Sequence, residues 1–267
     1  MLRSHPVEGG LAPARPQIAR RGQAAPALPR LVYGARFAAA AIAGALFGRG
    51  EPVRTALDTL PSDWRASVGT QHDLIRRAGD VVFAATLLLL ALPLLLLAVA
   101  AIALDSRGAV LHCQTRVGLG GRPFTLYKLR SMRVGAESGG PTWAAPADPR
   151  ITRVGAVLRR LRIDELPQLL NVLRGDMHMV GPRPERPHFV DLLTAAIPHY
   201  AARSCVRPGI TGWAQVNHPY GASIEDARAK LEFDLFYVAR RNLFLDAVIL
   251  LATIRVILWP SRALAVR

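Results

Sequence analysis

Cysteine, acidic and aromatic side chains are all scarce in this 267-residue chain. The two cysteines, Cys113 and Cys205, stand far apart with no CxxC pair, so neither a disulfide framework nor a cysteine-based zinc site is expected. The seven histidines show no HExxH-like spacing. His178, His188, His199 and His218 are therefore read as structural. An apolar h-region near the start is missing, so no secretory signal is expected. Internal repeats are absent. Acidic residues number 19 against 34 basic ones, a net charge of +15. That excess, with a pI near 11.3, points to anionic partners: nucleic acid, phosphorylated substrates or an acidic membrane surface. Nucleic acid fits least, because the sequence shows neither an aromatic stacking motif nor a recognisable reading element.

Residues 1–70 are rich in Ala, Pro, Arg and Gly and read as a flexible extension. Within them Phe37 to Phe47 is apolar but short, enough for a small helix that touches a membrane. Val81 to Leu104 is a run of 24 residues without a charge. As a straight helix it would extend roughly 36 Å, enough to cross a bilayer. Pro93 lies at its centre, removes a backbone hydrogen bond and divides it into arms too short to cross. Arg76 and Arg77 precede the run, and Arg107, Arg116 and Arg122 follow it. Basic flanks on both sides favour a helix that dips in and returns. Proline also occurs in spanning helices, so these features leave both topologies open.

Ala109 to Val117 and Pro123 to Met132 are β-compatible and are joined by Gly118-Leu119-Gly120-Gly121, a hairpin signal. Ile151 to Leu161 reads as a basic helix. Leu166, Leu169, Leu170 and Leu173 recur at helical spacing, and Gly175 ends that helix. Val180 to Pro184 and Val206 to Trp213 read as rigid loops carrying Arg183 and Arg207. Leu243 to Trp259 is apolar, interrupted by Asp246 and Arg255, and suits a membrane interface.

Asp164 and Glu165 sit side by side before the apolar helix, with Pro167 in its first turn. On local pattern they are a helix N-cap and a favourable first-turn acid. The same position suits chemistry, because an ionised aspartate beside Mg²⁺ can attack phosphorus and a neighbouring glutamate can serve as base or metal partner. Arg183 and Arg207 are surface charges on one reading and fixed forks for pyrophosphate on the other. Arg159 and Arg160 are expected to divide between phosphate and solvent, and Lys128 is an edge lysine or a phosphate ligand. Trp213 is core or an interface anchor.

An ordered set of motifs resembles a known family. It begins with Arg76-Arg77-x-x-Asp80 before the proline-centred run and the strand Tyr127-Lys128-Leu129-Arg130-Ser131-Met132. Asp148-Pro149-Arg150-Ile151-Thr152-Arg153-Val154-Gly155 and Asp164-Glu165-Leu166-Pro167-Gln168 come next. Asn171 to Met177, Gly181-Pro182-Arg183-Pro184 and Arg207 to Asn217 complete it. Together they resemble the bacterial sugar transferases, the monotopic polyprenyl-phosphate phosphoglycosyl transferases.

That resemblance implies an α+β, mainly α fold: a monotopic membrane protein with a re-entrant proline-bent helix, a small β-hairpin and interfacial amphipathic helices. The expected division is an extension over 1–70, the re-entrant helix over 71–105, a cytoplasmic catalytic domain over 106–240 and an interfacial helix over 241–267. The implied reaction moves a sugar 1-phosphate from a UDP-sugar to undecaprenyl phosphate and releases UMP. Asp164 would be the nucleophile and a Mg²⁺ ligand, and Glu165 its base or metal partner. Arg159, Arg183 and Arg207 would lie near the phosphates, with Lys128 as a further substrate contact, and Pro93 would be the membrane hinge. The implied location is the bacterial inner membrane, with the catalytic domain facing the cytoplasm. Membrane lipids and the two substrates are the implied partners; nucleic acid is not, and self-association stays open. Leu92 stands where many members place Ser, so the bend lacks that hydroxyl. The upstream spanning helices and extra domain of larger members are not expected, so the chain resembles the family's short form with an added N-terminal extension. Pro219 to Ser223 resembles exopolysaccharide-type members, a pointer to glucose or galactose 1-phosphate. A non-catalytic scaffold that keeps the fold is the rival reading.

Overall fold

The computed structural model describes residues 71–142, 148–218, 221 and 223–258. The expected N-terminal extension with its short helix, most of the Pro219 to Ser223 segment and the end of the chain from 259 lie outside the described residues. The described part is mainly helical, with two two-stranded sheets and one long apolar helix.

That helix, α1, runs Gln71–Asp105, 35 residues with Pro93 inside it. It is long and apolar enough to cross a membrane, yet both of its ends pack on the same folded body. Its inward stripe is Asp80, Ala84, Ala91, Ala98 and Ile102, a near-heptad seam of mostly small residues that lets α1 lie close against its neighbours. The other faces are apolar and bare: Val82, Leu89, Leu90, Leu96 and Leu97 are all more than 60% exposed.

Three polar side chains fasten the first turns of α1. Arg76 Nε donates to Asp246 at 2.7 Å, and Tyr237 donates to the same carboxylate at 2.8 Å. Arg77 donates to the carbonyls of Val172 and Leu173, which are left over at a helix C-terminus. The Asp80 carboxylate pairs with His178 Nδ1 and accepts from the Met179 amide at 3.3 Å. At the far end, Arg130 donates to the carbonyls of Ser106 and Arg107 at 2.6 and 3.1 Å.

The expected hairpin is present as β1 (Leu111–Val117) antiparallel to β2 (Pro123–Leu129), with Leu111 opposite Leu129 and Val117 opposite Pro123. Gly120 takes a left-handed φ of 63° in the turn. Next comes α2 (Arg153–Arg160), capped by Thr152, whose hydroxyl accepts from the Gly155 amide at 2.9 Å. The helix after the acidic pair, α3 (Gln168–Arg174), ends at Gly175 with φ 95°, as expected. Its buried face differs from the leucine stripe: Leu169, Asn171 and Val172 are buried, whereas Leu170 is exposed. Asn171 is inside because β2 satisfies it. Its Oδ1 accepts from the Tyr127 amide at 3.0 Å and its Nδ2 donates to the Thr125 carbonyl at 2.7 Å.

The Val206 to Trp213 stretch read as a loop contains a short strand, β4 (Gly209–Thr211), paired in parallel with β3 (His178–Val180), which ends where the other such stretch begins. Glycine makes the pairing possible, since a Cβ on Gly209 would lie 2.0 Å from the Gly181 nitrogen. The remaining helices are α4 (Pro187–Ala196), α5 (Trp213–Asn217), α6 (Ile224–Arg240) and α7 (Leu243–Leu258). The main core gathers Ala84, Leu169, Val172, Met177, Tyr237, Leu245 and Ile249. Trp213 belongs to it, stacked on Phe236 with ring centroids 6.0 Å apart, so it is a core residue and not an interface anchor.

Candidate active site

The acidic pair does not cap a helix. Leu161 ends α2 and Arg162 follows in the left-handed region at φ 59°, an unfavourable conformation for a side chain of that size. The chain reverses there and enters a 3-10 turn, Ile163–Glu165. The turn's amides bond locally, Glu165 N to the Arg162 carbonyl and Leu166 N to that of Ile163. Pro167 precedes α3 without a side-chain cap. Backbone carbonyls thus accept from the Glu165 and Leu166 amides. Ile163 anchors the turn from below, packed in one cluster with Ala98 and Ile102 of α1 and Leu158 of α2.

Asp164 and Glu165 line a cleft of about 610 Å³, together with Lys128, Arg159 and Arg183. Both acids are 8% exposed. Glu165 is bridged by two arginines: Arg183 Nη2 donates to Oε1 at 2.8 Å, and Arg162 Nη1 lies 3.7 Å from Oε2. Lys128 is not a solvated edge lysine. Burial pushes its pKa down to about 8, helped by Arg116 and Arg183 and opposed by Asp164 and Glu165. Arg159 lines the cleft while Arg160 is exposed, the division expected of the pair.

Arg207 does not join this group. Its Nε donates to the Gly175 carbonyl at 2.9 Å, so the structure uses this cation at the C-terminus of α3 and not among the cleft-lining residues. Pro93 lies on an exposed face of α1. Of the four histidines read as structural, His178 is buried on Asp80, while His218 lines the cleft.

Residues not assigned to the site from the sequence also face the cleft. Arg162 is one, and burial lowers its pKa. Its sequence signal was weak, because nothing marks a non-glycine residue as left-handed. Arg116 is another: Nη1 donates to the Pro184 carbonyl at 2.9 Å and both Nε and Nη2 grip Gln114. His112 is half-buried there, its pKa lowered by burial and by Lys128. Among the described residues no three His, Cys, Asp or Glu side chains gather as a metal cluster. Two adjacent carboxylates in a cation-lined cleft still suit Mg²⁺, which takes one or two carboxylates and completes its shell with phosphate oxygens and water.

The site is thus a buried acid pair in a cation-lined cleft, with Ile163 of its turn packed on the apolar α1. The family model described as Bacterial sugar transferase matches residues 71–260. This chain belongs to that family. Several sugar transferases are similar to it. A UDP-N-acetylgalactosamine-undecaprenyl-phosphate N-acetylgalactosaminephosphotransferase of Aeromonas hydrophila is 49% identical, over 70% of this chain and 44% of that protein. A UDP-glucose:undecaprenyl-phosphate glucose-1-phosphate transferase of Caulobacter vibrioides is 48% identical, over 72% of each. The exopolysaccharide production protein PSS of Rhizobium leguminosarum is 40% identical, over 68% of this chain and 94% of that protein. The chain thus spans less than half of the first relative and most of the other two. Relatives of near-equal identity are thus named for different sugars.

Proposed function

We propose that the protein transfers a sugar 1-phosphate from a UDP-sugar to undecaprenyl phosphate, releasing UMP and beginning a repeat unit of an exopolysaccharide. The observation that carries this is the placement of Asp164 and Glu165 in a buried, arginine-bridged turn whose Ile163 packs against the apolar α1. The acceptor's phosphate is tethered by its tail to the bilayer, and the donor is water-soluble. Only a site at the boundary between lipid and water can meet both.

In the proposed sequence a carboxylate oxygen of Asp164 attacks the phosphorus that bears the sugar. The bond from that phosphorus to the bridging oxygen breaks, and UMP leaves with the electron pair. An oxygen of the acceptor phosphate then attacks the same phosphorus and expels the Asp164 carboxylate, giving the lipid diphosphate sugar. Lys128, Arg159 and Arg183 hold the phosphate oxygens and offset the charge that moves between them. Glu165, fixed by Arg183, is the base or second metal partner. Asp164 and Glu165 would hold Mg²⁺, which supplies neutralisation of the phosphate oxygens when bound.

On this reading α1 is re-entrant, bent at Pro93, with α7 in the interface and the catalytic body on the cytoplasmic face of the inner membrane. Support comes from both ends of α1 being fastened to one body and from the bare leucines between them. Glucose or galactose 1-phosphate remains the preferred cargo. The test is a panel of UDP-sugars with undecaprenyl phosphate and Mg²⁺, scored for UMP. One sugar should release UMP, and chelation by EDTA should stop it. No release from any sugar would favour the non-catalytic scaffold.

A further inference from the structure

The cleft wall carries a buried ion pair that the steps above do not use. Arg203, in the 3-10 segment Tyr200–Cys205, and Asp234, in α6, are 8% and 2% exposed. Arg203 Nε and Nη2 both donate to Asp234 Oδ2, at 2.9 and 2.7 Å. The same Nη2 donates to the main-chain carbonyl of Arg183 at 2.8 Å. The guanidinium carbon stands 5.2 Å from the centre of the Tyr200 ring.

A buried ion pair adds little net stability over apolar side chains of the same size, although removing one partner is costly. What this pair supplies is geometry. Arg183 is the residue whose guanidinium bridges to Glu165 at 2.8 Å. Its loop is held on one side by Arg116 on the Pro184 carbonyl and on the other by Arg203 on the Arg183 carbonyl. Pro182 and Pro184 stiffen the loop between those holds. A chain of contacts therefore runs from Asp234 through Arg203 to the Arg183 backbone, and from the Arg183 side chain to the acid beside the nucleophile.

We propose that Arg203 and Asp234 are a positioning pair for the transfer reaction: by fixing the Arg183 carbonyl they set where the Arg183 guanidinium and Glu165 stand against the phosphates. The proposal rests on the phosphoglycosyl-transfer reading of the cleft. Arginine suits the place because its fork donates to Asp234 through both Nε and Nη2 while Nη2 also reaches the Arg183 carbonyl, whereas a lysine nitrogen ends about one bond short of Nη2.

The test is a mutant cycle on the full chain, with UMP release as the readout. Arg203→Lys keeps a charge opposite Asp234 but cannot also reach the carbonyl. It should lower kcat about tenfold in the wild-type background and less than about twofold in Arg183→Ala, where the loop no longer has a guanidinium to place. Equal losses in both backgrounds would overturn the relay. Asp234→Asn repeats the cycle should Arg203→Lys fail to fold, with the same disappearance expected. Hydrogen exchange gives a readout independent of turnover: amides of residues 181–186 should exchange faster in Arg203→Lys, and unchanged exchange would also overturn it. A wild-type chain that releases no UMP counts against the proposed function, and the exchange result then still decides whether the pair holds the loop. Wild-type turnover with additive losses removes the relay alone.

Discussion

At the residue scale the site is a contest between burial and charge. Lys128 is half-buried near Arg116 and Arg183, and only the nearby acids favour its charged form. With a pKa near 8 it is cationic below that pH and neutral above it, so its hold on phosphate should be present at neutral pH and lost in alkali. The expected outcome is a kcat/KM for the UDP-sugar that declines from about pH 8 upward, because this quantity reports the free enzyme. Lys128→Arg, which stays charged, should move the decline to higher pH. An identical profile in the variant would show that Lys128 is not the group responsible. The same scale shows why Asp164 and Glu165 were legible as a pair but not in their setting. Adjacent acids before a proline and an apolar run look like a cap; only the left-handed Arg162 and the 3-10 turn after it reveal them as cleft-lining residues.

At the scale of elements, α1 is bare and apolar on one face and a core helix on the other. The apolar run and its proline were plain in the sequence, whereas the alanine seam was hidden inside it because every residue there is apolar. If α1 re-enters, Cys labels at Ile75 and Arg107, both exposed, should react with an impermeant reagent from the same side of the membrane. The background needs Cys113→Ser, since that thiol is exposed. Reaction from opposite sides would mean that α1 crosses. The hairpin was read with its turn and inner strand ends in place and its outer ends two and three residues too long, because a glycine-rich turn between two β-compatible runs is a local signal. The parallel pair β3 and β4 was missed, because its partners are distant in sequence and only close glycine contact brings them together. Asn171 was likewise invisible as a core residue. Asn171→Leu removes partners from the Tyr127 amide and the Thr125 carbonyl and should cost about 3 kcal/mol in denaturant unfolding. A loss below about 1 kcal/mol would mean that water replaces those bonds.

For the whole molecule, the proposed function sets the apolar faces of α1 and α7 against lipid and gives the cation-lined cleft to the phosphates. The excess of 34 basic over 19 acidic residues suits that boundary, drawing both anionic lipids and phosphorylated substrates. The motifs made the family legible, while the arrangement of arginines around Glu165 emerged only in three dimensions. The central claim is that Asp164 takes the sugar phosphate before the lipid does. It is tested most directly by intact and peptide mass measurement of the protein incubated with its UDP-sugar and Mg²⁺ without acceptor lipid. The account predicts an added hexose phosphate on the peptide containing Asp164, removed by undecaprenyl phosphate and absent in Asp164→Asn. Undiminished UMP release by Asp164→Asn, with no adduct on the wild-type peptide, would contradict it.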